Sequence, residues 1–195
     1  KSKVFLYQDT IVLFRDFTQH DPLEEDIDSQ DKFNILLKKI DACQGASLPF
    51  SVLNQAAIFY EQAKSVAQGI RPATAAPHEY SYYLAHDVIA CFSRSHPLVH
   101  YIHPQILQLA EYDRKHRAHL MSSLYYYLIN DRSYKICSEK YSIHRNSLLY
   151  RIQKATEIVT CDLSNENIKI SILLSIYMYW FSHPEADPIG ISLWN

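Results

Sequence analysis

The segment YSIHRNSLLYRIQ, residues 141–153, places side chains that can form hydrogen bonds next to one another. Arg145 can donate two hydrogen bonds to the edge of a guanine, and Asn146 can form two with adenine. His144 and Ser147 can contact a base or a phosphate. Such a run of polar residues is a poor core segment, because large polar side chains are seldom fully buried. The chemistry that suits these residues is contact with the edges of base pairs.

The residues that follow predict a helix at about 143–159 with two different sides. At about 100° per residue, the apolar residues fall within one arc. They are Leu148, Leu149, Ile152, Ala155 and Val159. The opposite arc carries His144, Ser147, Tyr150, Arg151 and Lys154. One side of this helix is therefore expected to pack, while the other displays cationic and hydrogen-bonding groups.

A second short helix is predicted at 133–140, with almost no room for a loop before the next one. Two short helices joined by a turn of three or four residues form a helix-turn-helix, whose second helix enters the major groove of DNA by its N-terminus. Ser142 is the expected N-cap of that second helix. The side chains expected to hold phosphates are Lys135, Ser142, Tyr150, Arg151 and Lys154. The helix-turn-helix is expected over about 133–159.

Charge is concentrated in the same region. Residues 114–154 contain nine Lys and Arg but two Asp and Glu, although the whole chain has a net charge of −2. A basic block in an otherwise acidic chain is typical of a protein that binds a polyanion. A solvated helix face would give the same pattern, so charge alone leaves both interpretations open.

The segment YSIHRNSLLYRIQKATEIVTCDL resembles the C-terminal helix-turn-helix of PucR/CdaR-type bacterial transcriptional regulators. The positions that match are His144, Arg145, Asn146, Leu148, Tyr150, Arg151 and Asp162-Leu163. Ser147 stands where the family usually has Thr, Ser138 where it has Ala, and Tyr141 where it has Leu. Upstream, LAEYDRKHRAHLMSSLYYYLIND is similar to the segment that leads into this motif. The resemblance extends over about 104–180.

The resemblance implies a sequence-specific DNA-binding regulator of transcription, usually of catabolic genes. It implies a cytoplasmic protein that binds double-stranded DNA, and helix-turn-helix proteins commonly do so as homodimers. The chain begins with Lys rather than Met, so we expect a piece of a longer protein. Binding of an effector is then expected from a domain upstream. No enzyme activity, cofactor or metal is expected.

Residues 1–97 resemble, more weakly, the degenerate GGDEF-like domain that often precedes this module. The stretch SLPFSVLNQAAIFYEQAKSVAQG carries the resemblance, but no GG[DE]EF string is present, so we expect packing or dimerisation rather than cyclase activity. The predicted fold class is a partial α+β domain at 1–97 followed by an all-α helix-turn-helix bundle at 98–195.

The expected elements of the first domain are a hairpin at 3–14 and an acidic loop at 21–31, then helices at 31–42 and 51–68, a strand at 80–84 and a helix at 85–92. The helix at 51–68 is expected to pack through Leu53, Ala56, Ala57, Tyr60, Ala63 and Ala67. In the second domain, helices are expected at about 104–113, 116–129 and 165–181, the last capped by Ser164.

Histidines offer an enzymatic alternative. His96, His100 and His103 lie close together in sequence, with His116 and His119 further on, and several His side chains can hold a metal. However, two of the first three are in His-Pro dipeptides, and no acidic residue is nearby. The three glycines, at 45, 69 and 190, cannot form a phosphate-binding loop. Surface histidines are the preferred interpretation.

The cysteines and the apolar runs indicate the redox state of the thiols and whether the chain can cross a membrane. The four cysteines form no C-x-x-C pair, which favours reduced thiols. The most apolar run, 168–181, is too short to cross a membrane and predicts a buried helix.

A protein-interaction module is the remaining alternative. Fifteen tyrosines, including Tyr125-Tyr126-Tyr127, exceed the need of one small core. One helix face cannot cover three consecutive rings, so one or two were expected to be exposed or buried against a partner.

Overall fold

The computed structural model describes residues 2–16, 27–69, 80 and 83–186. The chain divides into two compact units, Lys1–Tyr80 and Ser81–Asn195. Among the described residues, the first unit contains a two-stranded sheet and two α-helices, and the second contains six α-helices.

The first unit begins with an antiparallel hairpin of β1, Ser2–Tyr7, and β2, Thr10–Arg15. Val4 pairs with Leu13, and Leu6 with Ile11. The two turn residues, Gln8 and Asp9, both have positive φ, at 45° and 61°. That combination matches the right-handed twist of the flanking strands in a two-residue hairpin turn. The predicted hairpin is confirmed.

Two helices follow, α1 at Ile27–Lys39 and α2 at Ala56–Gly69, the latter preceded by a 3-10 turn at Leu53–Gln55. Helix α1 begins earlier than predicted and includes the end of the segment expected to be an acidic loop. Acidic residues near a helix N-terminus are favoured by the helix dipole, which explains why Asp28 and Asp31 are compatible with the helix. The rest of that predicted loop lies outside the described residues.

Helix α2 packs with the aromatic side of the hairpin. Phe14 meets Phe50 edge to face, and Phe50 stacks on Phe59 of α2 with centroids 4.4 Å apart. Gly45 lies so close to α2 that an added Cβ would be 2.0 Å from a backbone oxygen, that of Ala63. A larger residue at this position would therefore separate the loop from the helix.

Part of the predicted packing stripe of α2 is wrong. Leu53 is 74% exposed and Ala57 is also exposed, whereas Val66, which was not on the predicted stripe, is fully buried. Burial on this helix is centred instead where α2 approaches the loop at Gly45.

The predicted strand at 80–84 is wrong for its described residues. Tyr80 lies in a 3-10 turn, Tyr83 in a turn, and Leu84 is the first residue of α3, Leu84–Ser93. Tyr80 and Tyr83 are both buried, and a spacing of three suits a helical turn better than a strand. Residues 81 and 82 lie outside the described part. The helix expected at 85–92 is confirmed as α3.

The second unit is helical throughout its described part. After α3 come a 3-10 turn at Leu98–His100 and five helices: α4, Pro104–His116; α5, Leu120–Ile129; α6, Tyr134–Lys140; α7, Arg145–Ile158; and α8, Glu166–Ser182. Pro104 occupies the first turn of α4, as predicted. The fully buried side chains of the core include Ile106, Leu109, Leu120, Leu124, Leu128, Leu148, Ile172 and Ile176.

The helical unit begins earlier than the predicted boundary between 97 and 98. Ile89 of α3 is buried in the same core cluster as Leu98 and the helices that follow. A helix whose apolar residue lies in that core folds with it, so α3 belongs structurally to the second unit. The assignment of 1–97 as a GGDEF-like domain stays a prediction.

Helix α8 forms from the apolar run at 168–181, as predicted. Ile172, Ile176 and Trp180 recur at helical spacing and are almost completely buried. Its N-cap is Asn165, whose side chain accepts hydrogen bonds from the backbone N–H groups of Asn167 and Ile168, so the expected cap Ser164 is wrong. Ser164 instead donates its hydroxyl to Asp162. No helix among the described residues is long and apolar enough to span a membrane.

The three consecutive tyrosines of α5 are covered by different neighbours within the unit. Tyr125 is buried against Trp180, Tyr126 stacks on Tyr141, and Tyr127 packs on Tyr134. None of the three is exposed. The expectation that one or two of them would need a partner outside the chain is therefore wrong, because aromatic residues from α6, α8 and the α6–α7 turn surround this helix.

Candidate nucleic-acid interface

Helices α6 and α7 are joined by four residues, 141–144. Ser133 caps α6, since its hydroxyl oxygen accepts a hydrogen bond from the backbone N–H of Ile136 at 3.3 Å. Within the turn, Ser142 has a φ of 53°, a left-handed conformation that reverses the chain between the helices. Two short helices connected in this way form a helix-turn-helix. The motif predicted at about 133–159 is confirmed.

The N-cap of α7 is His144. Its Nδ1 accepts a hydrogen bond from the backbone N–H of Asn146 at 3.3 Å. The expected cap Ser142 is wrong, because it lies two residues too early and its backbone turns away from the helix. With Nδ1 engaged, Nε2 is the ring nitrogen of His144 that is left for a contact with DNA.

The turn is held in place from α5. Asn130 donates from Nδ2 to the backbone oxygen of Tyr126 at 2.7 Å and to the hydroxyl of Tyr141 at 3.2 Å. The rings of Tyr126 and Tyr141 stack with centroids 3.7 Å apart. Cys137 of α6 is fully buried and donates its thiol to the same Tyr126 oxygen at 3.3 Å. Burial also raises the pKa of this thiol, so it stays protonated as a donor.

Arg132 connects the start of the motif to the loop that follows it. Its guanidinium donates to the backbone oxygen of Leu163 at 3.0 Å and pairs with Glu166 of α8 at 3.1 Å. Arg132 precedes α6 and Leu163 follows α7, so this contact links the two ends of the motif. It leaves the opposite side of α7 open.

The buried side of α7 consists of Leu148, Ile152 and Ala155. All four residues predicted to contact bases are exposed: His144, Arg145, Asn146 and Ser147. They lie together at the N-terminus of α7, in its cap and first turn. The structure therefore brings the predicted base-contacting residues together on one accessible end of the second helix.

The residues predicted to contact phosphates differ in how exposed they are and in whether they are already paired. Lys135 and Ser142 are exposed, Tyr150 is 63% exposed, and Arg151 is half-buried. Lys154 is already engaged: its ammonium lies 2.7 Å from a carboxylate oxygen of Glu157 and 6.0 Å from the ring centre of Tyr112. The hydrogen bond with Glu157 raises the pKa of Lys154.

Two further residues of α7 are exposed, although neither was predicted to contact DNA. Leu149 was expected to pack inward but is 40% exposed, and Gln153 is exposed. Leu149 lies at the edge of the apolar arc, and the direction of burial is set by Leu148 and Ile152 instead. A helical projection centred on those two residues places Leu149 about 80° away, at the edge of the buried side, and Gln153 about 120° away, on the outward side.

Cations without ionic partners are concentrated on the helix-turn-helix. Within residues 83–186, the cations in ion pairs are Arg114, Lys115, Arg132, Lys154 and Lys169. Six others have no carboxylate within 4.0 Å among the described residues: Arg94 and Arg117 lie outside the motif, and four belong to α6 or α7, namely Lys135, Lys140, Arg145 and Arg151. Their positive charge is left unneutralised by the protein, which favours an anionic partner at this surface.

Three of the five histidines considered for a metal site have other contacts. His96 stacks on Phe92, His116 lies against Tyr112, and His103 caps α4 by accepting from the backbone N–H of Gln105. Among the described residues, no group of three or more His, Cys, Asp or Glu side chains is placed to hold a metal ion.

Comparison with known proteins shows what this part of the chain is similar to. Residues 120–178 match the family described as the PucR C-terminal helix-turn-helix domain. The match spans α5 to α8 almost completely and contains the whole motif described above. Residues 120–178 are thus similar to the PucR C-terminal helix-turn-helix domain. No solved structure matches the chain.

Two curated relatives come from Bacillus subtilis (strain 168). The chain is 33% identical over 69 residues to the DNA-binding transcriptional activator AdeR, and 26% identical over 102 residues to the proline-responsive transcriptional activator PutR. These alignments cover 35% and 52% of this chain. The chain spans 16% and 25% of the length of the two relatives.

Proposed function

We propose that this protein is a sequence-specific DNA-binding transcriptional regulator that inserts α7 into the major groove. The observation that carries the proposal is the exposed N-terminus of α7, where Arg145 and Asn146 lie beside cations that no carboxylate neutralises. The likeness of this chain to two transcriptional activators supports the same function.

In this mechanism, the first turn of α7 supplies the contacts to base edges. Arg145 donates two hydrogen bonds to a guanine, and the amide of Asn146 pairs with an adenine. Ser147 and the free Nε2 of His144 contact a neighbouring base or phosphate. Such contacts give sequence preference, because each base pair displays its own pattern of donors and acceptors in the major groove.

The phosphate contacts provide affinity and register. We assign them to Lys135 of α6, Ser142 of the connecting turn, and Tyr150 and Arg151 of the second turn of α7. Lys154 is a more distant contributor, since it must leave Glu157 before it can bind a phosphate. Each cation that neutralises a phosphate releases counterions, so affinity should fall steeply as salt rises.

The biological setting is proposed from the relatives. We infer that the protein controls catabolic genes, acts in the cytoplasm where bacterial DNA lies, and binds as a homodimer to paired half-sites. Recognition of an effector is assigned to a domain upstream of this chain. The GGDEF-like identity of residues 1–97 is retained as a proposal, with packing or dimerisation as its role.

The test is fluorescence anisotropy of the purified chain with a random-sequence duplex, titrated from low to moderate salt. We expect binding that weakens steeply with salt and is abolished by the double variant Arg145→Ala, Arg151→Ala. Arg94→Ala is the matched control, since Arg94 is exposed and lies outside the motif. Absence of binding at low salt by a folded protein would overturn the proposal in favour of a protein-interaction module.

A further inference from the structure

Starting in its first turn, α7 presents a stripe of three exposed residues, Asn146, Leu149 and Gln153, which follow one another at intervals of three and four. Successive members lie on the same side of a helix at this spacing. All three are exposed, whereas Leu148 and Ile152, on the other side, are buried. The stripe ends before Glu157, whose negative charge would be repelled by DNA.

The side chains of the stripe are uncharged, and each matches a particular group on the edge of a base pair. The amides of Asn146 and Gln153 each match the acceptor and donor pair on the major-groove edge of adenine, and an apolar side chain matches the methyl group of thymine. Leu149 is 40% exposed and so is accessible for contact with a base. A contact with a thymine methyl group would cover it in the complex.

The spacing fits neighbouring base pairs. Asn146 and Gln153 are separated along the axis by about 10.5 Å, since an α-helix rises about 1.5 Å per residue. Base pairs are about 3.4 Å apart, so the stripe extends over about three base-pair steps. Zinc-finger helices likewise contact successive bases through residues three or so positions apart.

We propose that α7 recognises a half-site with an A·T-rich core of three or four base pairs, in which Asn146 and Gln153 contact adenines and Leu149 contacts a thymine methyl group between them. This inference rests on the proposed DNA-binding function and adds the class of sequence that the motif prefers.

The test begins with selection of bound duplexes from a random pool by the intact chain, followed by sequencing. We expect enriched sites to contain the A·T-rich core. Asn146→Ala and Gln153→Ala should each lose preference at a different position, with about 5- to 150-fold less discrimination there. Gln108→Ala, an exposed amide on α4 and so outside the stripe, is the control and should keep the preferences of the parent chain.

The contact of Leu149 has its own chemical test. Replacing the contacted thymine by uracil removes one methyl group and should weaken binding by the parent chain about fourfold. The Leu149→Ala variant should bind both duplexes equally. Sites enriched without an A·T core, or preferences unchanged in the Gln153→Ala and Leu149→Ala variants, would overturn this inference while DNA binding stands. No binding to any duplex would overturn both proposals.

Discussion

The imidazole of His144 and the backbone N–H of Asn146 share a hydrogen bond of 3.3 Å that begins α7. The same His-Arg-Asn run therefore serves two purposes. His144 satisfies a backbone donor that the helix cannot satisfy by itself, and Arg145 and Asn146 are left to project from the first turn. His144 thus caps the helix through Nδ1, and only its Nε2 is left for the DNA contact proposed for this side chain.

Replacing His144 tests this division. His144→Ala removes the cap and should reduce the free energy of unfolding by about 0.5–2 kcal/mol, whereas His144→Asn supplies another good capping side chain and should restore most of it. Urea unfolding followed by circular dichroism measures both. Equal destabilisation by the two substitutions would contradict the capping role.

The contact between Arg132 and Leu163 predicts a second effect on stability. Arg132→Ala leaves the Leu163 carbonyl without its partner and should cost about 0.5–1.5 kcal/mol, the usual net value of one hydrogen bond. Glu166→Gln removes only the ion pair with Arg132 and Lys169, and Glu166 is 61% exposed, so its effect should be smaller. Urea unfolding of the two variants compares them, and a larger loss from Glu166→Gln would show that the ion pair dominates.

The helices of the second unit were largely predictable, because their apolar residues recur at helical spacing and Pro104 marks a helix start. The cap of α7 was not, because histidine is outside the usual set of capping residues and Ser142 is inside it. Only the backbone conformation at Ser142, with its positive φ, decides between the two.

The buried side of α7 was predictable only in part. The spacing of Leu148, Ile152 and Ala155 identifies a buried side, but it does not fix the width of that side. Leu149 lies at its edge and is exposed because the packing helices approach from the direction of Leu148. The ion pair of Lys154 could have been anticipated, since Glu157 lies three residues further along the helix. The strand expected at 80–84 is wrong because tyrosine favours strands by residue type, whereas the buried pair, Tyr80 and Tyr83, has the spacing of a helical turn.

Leu148 and Leu149 are adjacent but should respond differently to truncation. Leu148 is fully buried, so Leu148→Ala should cost about 2–5 kcal/mol of unfolding free energy through lost contacts and a cavity. Leu149 is 40% exposed, and Leu149→Ala should change stability by no more than about 0.5 kcal/mol. Urea unfolding of both variants provides the comparison. Similar losses from the two would mean that Leu149 packs inward, as the sequence first suggested.

His86 predicts a dependence of stability on pH. It lies against Phe181 with rings 5.2 Å apart, and its Nε2 is buried without a hydrogen-bond partner in the described structure. Burial lowers the pKa of His86, and the nearby Asp87 carboxylate partly opposes that effect. The unfolded chain therefore takes up a proton at His86 at a higher pH than the folded chain does, so folding becomes less favourable as pH falls below about 6.5.

The expected result is a lower melting temperature of the chain at pH 5.5 than at pH 7.5, measured by thermal unfolding in matched salt. His86→Leu keeps an apolar side chain against Phe181 but cannot take up a proton, so the difference between the two pH values should shrink. The remaining difference reports the other titrating groups. If His86→Leu and the parent chain lose the same amount on acidification, the proton uptake that destabilises the fold lies elsewhere, and burial of His86 has no part in it.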